Sequence, residues 1–337
     1  MDIIRPRLTD YHGIHKNQAD LDFAIQFFDE DIPLYVDPFL LWKSPSQQDN
    51  ALHTTITNSF NHLNYLIKKK QEDEALSILI DISECHEVGL GVSKTRKGTK
   101  ISEKQAQDIL SLFKDIPEYS QFGFTHFEII QLYISGISKD RISDITCNYL
   151  KSFLIDYTIE QCEINKIPTE GVILDSIYNY KTNKLDTNQK VYLPVNPLTK
   201  EPLIFTPKRW LRFNTWINYE DYFQKYCPRD EIFNPDEPEE RVKVLNFNRE
   251  NYGTIEGYIE YKTKASENCK NDPLFSQIPI LSAKRKLSQI LKLNTGKEHG
   301  ADMQYEELSA SLLASLFYPH LDFAQTQSRT ESGRHIR

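Results

Sequence analysis

The protein has 337 residues, of which 39% are hydrophobic, 12% aromatic and 26% charged. This is the composition of a globular chain long enough for two domains, and it excludes a protein that is disordered throughout. The 48 acidic and 40 basic side chains give a net charge of −8, which excludes a global positive field that would hold DNA or an anionic membrane. Contact with nucleic acid must therefore come from local patches.

Cysteine usage and the N-terminal residues predict the compartment. The five cysteines are odd in number and have no Cys-x-x-Cys spacing, which is typical of reduced thiols and argues against a zinc site. The N-terminus lacks the apolar core of a signal peptide, and no window approaches the roughly 18 apolar residues of a membrane span. We expect a cytoplasmic protein with no membrane partner.

Helical periodicity dominates the first third of the chain. Between Gln48 and Lys70 the apolar residues recur at three- and four-residue steps, which predicts an amphipathic helix, and a second helix is predicted over 73–82. Ser102 and Gln105 predict a capping box at the start of a third helix.

The middle of the chain mixes strand and helix patterns. Residues 127–134, FEIIQLYI, predict a strand, and a helix is predicted from about residue 145 to residue 164. Three further segments predict β-structure: 172–178, 191–195 and 202–206. The fold class predicted is therefore mixed, α/β or α+β.

Changes in composition predict three regions. We expect an N-terminal α/β sensing or scaffold domain over 1–240, a linker or peripheral segment over 241–275, and the start of another domain over 276–337. That last region has two predicted helices, 283–293 and one from Met303, followed by one strand. These are too few elements to close a sheet, so we expect the protein to continue past Arg337.

The last region carries a family resemblance. Gly300, the pair Tyr305-Glu306, an apolar helix and the polar strand ending in RTESGRHIR occur in that order. This order resembles the opening of a PD-(D/E)xK restriction-endonuclease-like domain, as found in bacterial anti-phage defence proteins. The resemblance covers about residues 300–337 and implies an α/β nuclease fold, a Mg²⁺ cofactor and DNA, of phage or host, as substrate. It implies that Glu306, or Glu307 one place on, is the catalytic and metal-binding acid, with an Asp and a Glu-x-Lys expected beyond Arg337.

Acidic residues on a helix suit metal-dependent DNA cleavage, but they also have a purely structural interpretation. Carboxylate oxygens hold Mg²⁺, which polarises a phosphate and lowers the pKa of bound water. Alternatively, Glu306 and Glu307 only stabilise the positive end of the helix dipole. Arg329 is a candidate phosphate contact, or a solvated side chain.

The turn SKDRISD carries a second acidic candidate. Asp140 and Asp144 follow a predicted strand and precede a predicted helix, a position from which carboxylates reach a metal or a polar ligand. Asp144 is the metal candidate here, and three other acids join the pair if folding brings them near: Glu84, Glu87 and Glu128. The alternative is that Ser143 or Asp144 caps the helix N-terminus.

Two basic segments are candidates for nucleic-acid binding. The loop GLGVSKTRKGTK supplies four cations, Lys94, Arg96, Lys97 and Lys100, although it lacks the P-loop pattern and also fits a flexible surface loop. The segment TPKRWLRFNTW interleaves Lys208, Arg209 and Arg212 with Trp210, Phe213 and Trp216. Cations on phosphates and aromatic faces under bases bind single strands, whereas core aromatics with a basic rim are the alternative.

These observations lead to one functional hypothesis and two rivals. YVDPFLLW, SECHEVGLG, KDRISDIT and PKRWLR resemble N-terminal regions of bacterial anti-phage defence proteins. We therefore expect an antiviral defence protein with metal-dependent DNA endonuclease activity. The first rival is a non-catalytic module that binds nucleic acid or protein in a defence complex, and the second is a nuclease built on Glu84, Asp140 and Asp144. A partner protein of the defence system and self-association stay open.

Overall fold

The computed structural model describes residues 7–16, 18, 20–28, 30–91, 98–234, 238–271, 283, 286–293, 300–316, 328–329 and 335–336. Two compact units divide the chain. We call Leu34–Gly91 with Lys97–Asp272 the core unit. The terminal unit consists of Met1–Pro33, Val92–Arg96 and Pro273–Arg337.

Helices form most of the described structure. In chain order they are α1 (Leu8–Tyr11), α2 (Pro38–Trp42), α3 (Gln47–Lys68), α4 (Glu72–Asp81), α5 (Glu103–Asp115), α6 (Pro117–Phe122), α7 (Lys139–Tyr149), α8 (Lys151–Asn165), α9 (Tyr219–Lys225), α10 (Arg229–Ile232), α11 (Arg241–Glu250), α12 (Tyr252–Lys264) and α13 (Ala301–Leu316). Residues 286–290 are also helical. In the part of the chain that is described, no helix is both long and apolar enough to span a bilayer.

The strands are short and pair two by two. They are β1 (Tyr35–Val36), β2 (Glu170–Leu174), β3 (Ile177–Asn179), β4 (Lys184–Asp186), β5 (Gln189–Leu193), β6 (Leu211–Arg212), β7 (Ser328–Arg329) and β8 (His335–Ile336). The antiparallel pairs are β1 with β6, β2 with β5, β3 with β4 and β7 with β8. Helices combined with separate antiparallel pairs confirm the predicted mixed α/β class.

Capping residues and apolar stripes determine where the predicted helices α3 and α5 begin and which side they bury. The Ser46 hydroxyl accepts the Asp49 N–H at the start of α3, and Ile56, Phe60 and Leu63 of the predicted apolar stripe are buried. The capping box before α5 is confirmed, because the Ser102 and Gln105 side chains each accept the other residue's backbone N–H. Phe60 of α3 packs against Phe113 of α5 with ring centroids 6.0 Å apart, so these helices share one aromatic core.

Several predicted elements differ in the structure. Phe127–Leu132 is a 3₁₀ helix rather than a strand, and all six of its residues are buried. A mostly apolar run buried on every side has no period that separates a strand from a helix. The helix predicted over 145–164 is two helices, α7 and α8, that meet at Leu150. Residues 202–206 form only a single antiparallel bridge, from Pro202 to Val195.

The segment predicted as a linker is part of the core unit. Residues 241–264 form α11 and α12, whose buried residues include Val244, Leu245, Ile255 and Tyr258. These apolar positions are separated by polar ones on two short helices, so no single period runs through the segment. Asn248 of α11 is also buried, and its amide donates to the Leu132 carbonyl at 2.7 Å.

The terminal unit has its own contacts. The Leu8 N–H donates to the Gln26 carbonyl at 3.1 Å, and the Gln18 side chain bonds the backbone of Phe23 and Ile25. Lys286 and Glu30 form a buried ion pair at 3.1 Å. The same unit contains α13 and the β7–β8 pair.

Candidate functional site

Helix α13 carries the acidic pair that the nuclease resemblance selects. Gly300 precedes the helix with φ +93°, a backbone conformation that favours glycine. Glu306 is half-buried and Glu307 is exposed. Adjacent residues on a helix point in directions about 100° apart, so the two carboxylates lie on different faces. Arg329, the candidate phosphate contact, pairs with His335 in the β7–β8 register.

The acids of the SKDRISD segment meet around an arginine. Arg141 Nη1 lies 3.0 Å from Glu84 Oε2 and 3.3 Å from Asp144 Oδ2. Asp140 is half-buried, and burial raises its pKa, with Glu84 adding to the effect and Arg141 opposing it. The structure therefore brings Glu84, Asp140 and Asp144 together, with a guanidinium between the carboxylates.

The capping alternative for this segment is wrong. Helix α7 begins at Lys139 with Ser138 as its N-cap residue, so Asp144 lies in the middle of the helix and is only 6% exposed. The Ser143 hydroxyl accepts the N–H of Val36 at 3.0 Å. The helix starts at Lys139, six residues earlier than predicted.

The other two acids of the predicted cluster have different partners. Glu87 forms a buried ion pair with Lys151 at 2.7 Å. Burial alone would raise the pKa of Glu87, but the Lys151 ammonium holds it below its usual value. Glu128 contacts His126 instead. Among the described residues no group of three or more His, Cys, Asp or Glu side chains is arranged to hold a metal ion.

The basic loop is described only at its end. Lys94, Arg96 and Lys97 lie outside the described residues. Lys100 forms an ion pair with Asp81 at 2.5 Å. A Cβ atom at Gly98 would lie 2.0 Å from Glu84 Oε1, so the loop returns to the core unit against an acidic side chain.

The arginines of the second basic segment, TPKRWLRFNTW, make ion pairs within the protein. Arg209 forms a two-point ion pair with the buried Asp49. Arg212 Nε lies 3.4 Å from the buried Asp37, and Lys208 is half-buried. Trp210 is 1% exposed, so its ring is covered and cannot stack on a base.

A cavity of about 360 Å³ lies in the core unit, and the sequence did not predict it. Helix α12 lines one side with Tyr252, Glu256 and other residues, and the segment 119–129 with Trp42 lines the other. The volume is within the range of small-molecule sites. His126, which is 3% exposed, is part of the lining.

A buried polar network lies behind His126. Its Nδ1 is 3.1 Å from Glu128 Oε1, and its ring centroid is 5.7 Å from that of His53. Burial alone would raise the pKa of Glu128, but His126 and His53 hold it below its usual value. Burial lowers the pKa of His53 to about 4. Burial also raises the pKa of Asp37 to about 7, with the nearby Glu128 adding to this and Arg212 opposing it.

One sequence signal could have located this network. Glu128 is the only charged residue in the apolar run 127–134, and His126 stands two places before it. A carboxylate in a fully buried run needs a charged or hydrogen-bonding partner, so a neighbouring histidine is the natural candidate. The cavity itself depends on α12, which lies more than 120 residues further along the chain.

A second cavity, of about 560 Å³, lies on another side of α12. Its lining includes Arg212, Trp216, Asp221 and Lys262. The Lys262 ammonium is 4.0 Å from the centroid of the Trp216 ring and 2.7 Å from Asp221 Oδ2. The protein thus supplies its own cation to this aromatic and acidic site.

Residues 13–218 match the family model of a domain of unknown function, DUF8370. The chain belongs to the DUF8370 family. No curated protein and no solved structure matches it. The DUF8370 region includes His53, His126, Asp144 and Arg209, whereas α12 and α13 lie beyond it.

Proposed function

We propose that the protein is a cytoplasmic antiviral defence protein that cleaves DNA with Mg²⁺, through a nuclease segment that begins near Gly300. The observation that carries this proposal is the order of elements in the terminal unit. Gly300 at φ +93° is followed by α13 with Glu306, and then by the antiparallel β7–β8 pair. A glycine, a helix with Glu306 and then β-structure is the order that the resemblance to restriction-endonuclease-like domains implies.

Glu306 is the residue that we assign to the metal. It is half-buried on α13, whereas Glu307 is exposed, and a metal-binding carboxylate is better fixed where neighbouring atoms restrict it. Proteins often hold Mg²⁺ by one or two carboxylates together with substrate phosphate oxygens. When bound, the ion would polarise the scissile phosphate and activate a water molecule.

The acids of α7 are the weaker candidates for the reaction. Glu84 and Asp144 both contact the Arg141 guanidinium, which neutralises part of the negative charge that would attract a cation. We therefore place catalysis on α13 and treat Asp140 and Asp144 as the alternative, to be tested in the same experiment.

The test is plasmid cleavage by the full-length protein with Mg²⁺ and with EDTA. We expect Glu306→Gln to lower the Mg²⁺-dependent rate by at least about 100-fold, equivalent to roughly 2.7 kcal/mol of transition-state stabilisation. Glu307→Gln should have a smaller effect, and the exposed Glu160→Gln serves as the matched control. Melting temperatures check that each variant is folded. Cleavage that EDTA does not affect, or equal cleavage by Glu306→Gln and the control, would contradict the assignment.

Two other results would redirect the proposal. A loss confined to Asp144→Asn or Asp140→Asn, with Glu306→Gln fully active, would move the reaction to α7. No cleavage by the wild-type protein under any condition would favour a non-catalytic module that binds nucleic acid or protein.

DNA contact is the remaining part of the proposal. We assign it to Lys94, Arg96, Lys97 and Lys100, with Arg329 near the nuclease segment. Each phosphate contact that is lost should reduce the slope of log binding constant against log salt by about 1. Alanine variants of Lys94, Arg96 and Lys97 should therefore weaken DNA binding without changing the melting temperature.

A further inference from the structure

The first cavity beside α12, of about 360 Å³, has the aromatic and acidic composition of a cation site. Three aromatic side chains line it: Trp42, Tyr119 and Tyr252. The centroids of the Tyr119 and Tyr252 rings lie 5.3 Å apart in an edge-on arrangement, and Trp42 contacts both Phe39 and His126. Packing thus fixes these rings before a ligand arrives, which lowers the entropic cost of binding.

The charges of the lining are predominantly acidic. Glu256 and Glu260 are exposed on the α12 side, and Lys264 is the lining cation. Lys264 Nζ lies 3.1 Å from Glu260 Oε2, so these two charges offset each other. Glu256 makes no ion pair or hydrogen bond with another described residue, and its carboxylate remains available to a ligand.

Beside the second cavity of the same unit, this combination surrounds an ammonium of the protein itself. There the Lys262 ammonium lies over Trp216 at 4.0 Å and near Tyr258 at 5.8 Å, and it bonds the Asp221 carboxylate at 2.7 Å. Indole, phenol and carboxylate together therefore hold an ammonium in this protein. The first cavity offers the same three groups in Trp42, Tyr252 and Glu256.

His126 adds a hydrogen-bonding group to the lining. Glu128 is ionised and can only accept, so the His126 Nδ1 carries the hydrogen of their 3.1 Å contact.

We propose that this cavity binds a primary ammonium carried on a small apolar or aromatic body. The Trp42 and Tyr252 rings and Glu256 hold the ammonium by cation–π and charge interactions, and Ile259 contacts the apolar body. The ammonium comes either from a free amine or from a lysine side chain of a peptide. The proposal is independent of DNA cleavage, because every residue that it uses lies in the core unit.

The test is isothermal titration of the full-length protein with matched probes. Phenethylamine represents the free amine, and Nα-acetyl-lysine amide represents the peptide source. Phenethyl alcohol and phenylacetate keep the ring of phenethylamine but replace the ammonium with a neutral or an anionic group. We expect at least one amine to bind, and the alcohol and the acid to bind at least tenfold more weakly than that amine.

Glu256→Gln identifies the site, because it removes the charge of an exposed side chain and little packing. We expect it to weaken amine binding at least tenfold, whereas the exposed Glu160→Gln should bind as the wild type does. Quenching or enhancement of tryptophan fluorescence on amine binding should be lost in Trp42→Phe. Equal binding of amine and alcohol, full binding by Glu256→Gln, or no binding of either amine by the wild type would each overturn the proposal.

Discussion

Arg209 and Asp49 form a two-point ion pair across 160 residues of sequence. Arg209 Nε lies 3.1 Å from Asp49 Oδ2, and Nη2 lies 2.9 Å from Oδ1. The Asp49 side chain is 1% exposed and that of Arg209 is 39% exposed. The pair therefore joins the start of α3 to the segment that the sequence predicted as a nucleic-acid contact.

Removing this arginine should destabilise the protein. Arg209→Ala leaves the buried Asp49 carboxylate without two charge-assisted hydrogen bonds, and we expect a loss of about 2 kcal/mol in the free energy of unfolding. Urea denaturation measures it, with the exposed Lys104→Ala as a control expected within about 0.5 kcal/mol of the wild type. Unchanged stability together with weakened DNA binding would instead support the sequence-based interpretation of Arg209.

The buried pair of Glu87 and Lys151 predicts a larger effect. Their side chains are 5% and 4% exposed, and the contact is 2.7 Å. Lys151→Met should cost about 3–5 kcal/mol, because it leaves the Glu87 charge buried and uncompensated. The double variant Glu87→Leu with Lys151→Met should be more stable than Lys151→Met alone. If the two substitutions were additive in urea denaturation, the pair would not be coupled.

Asp37 and His53 predict opposing pH dependences of stability. The pKa of Asp37 is raised from 3.8 to about 7 in the folded chain, so its contribution is present at low pH and is lost as pH rises towards 7. The pKa of His53 is lowered from 6.5 to about 4, so its contribution is present above pH 6.5 and is lost as pH falls towards 4. Between about pH 4 and 6.5 the two slopes have opposite signs and offset each other.

Single substitutions should separate the two slopes. Relative to the wild type, the free energy of unfolding of Asp37→Asn should rise with pH across this window, by at most about 1.4 kcal/mol per pH unit. That of His53→Gln should fall by a similar amount. Urea denaturation at half-unit steps from pH 4.5 to 7.5 measures both differences. Asp37→Asn also loses an acceptor for the Phe39 or Trp216 N–H, which lowers stability at every pH. The test therefore compares the slope of stability against pH and not its absolute value. Parallel curves for variants and wild type would contradict both assignments.

The capping box before α5 predicts a modest local effect. The Ser102 hydroxyl accepts the Gln105 N–H at 3.2 Å, and Ser102→Ala should cost about 1 kcal/mol. Ser152→Ala, at an exposed position inside α8, is the matched control and should change stability by less than about 0.5 kcal/mol. Equal melting temperatures for the two variants would indicate that the capping box does not stabilise the protein.

Local patterns predicted local structure well. The stripe of α3 and the Ser102–Gln105 capping box depend on residues three or four apart, and both were found where the sequence placed them. The strand predicted over 127–134 was wrong because the segment is buried on all sides. Its apolar residues reflect that burial and not a two-residue period. The start of α7 was also misplaced, because the helix begins at Lys139, five residues before Asp144 rather than beside it.

The mixed α/β class and the main helices of the first third of the chain could be predicted from the residues alone, because they follow from spacing along one segment. The partners of the charged residues could not, because they depend on how distant segments fold together. Arg209 pairs with Asp49, and Glu128 with His126 beside a cavity that α12 completes from a distant part of the chain. A charged side chain has the same sequence signature whether it faces a phosphate or a buried carboxylate. The choice depends on which segments meet in space, and periodicity along the chain does not encode it.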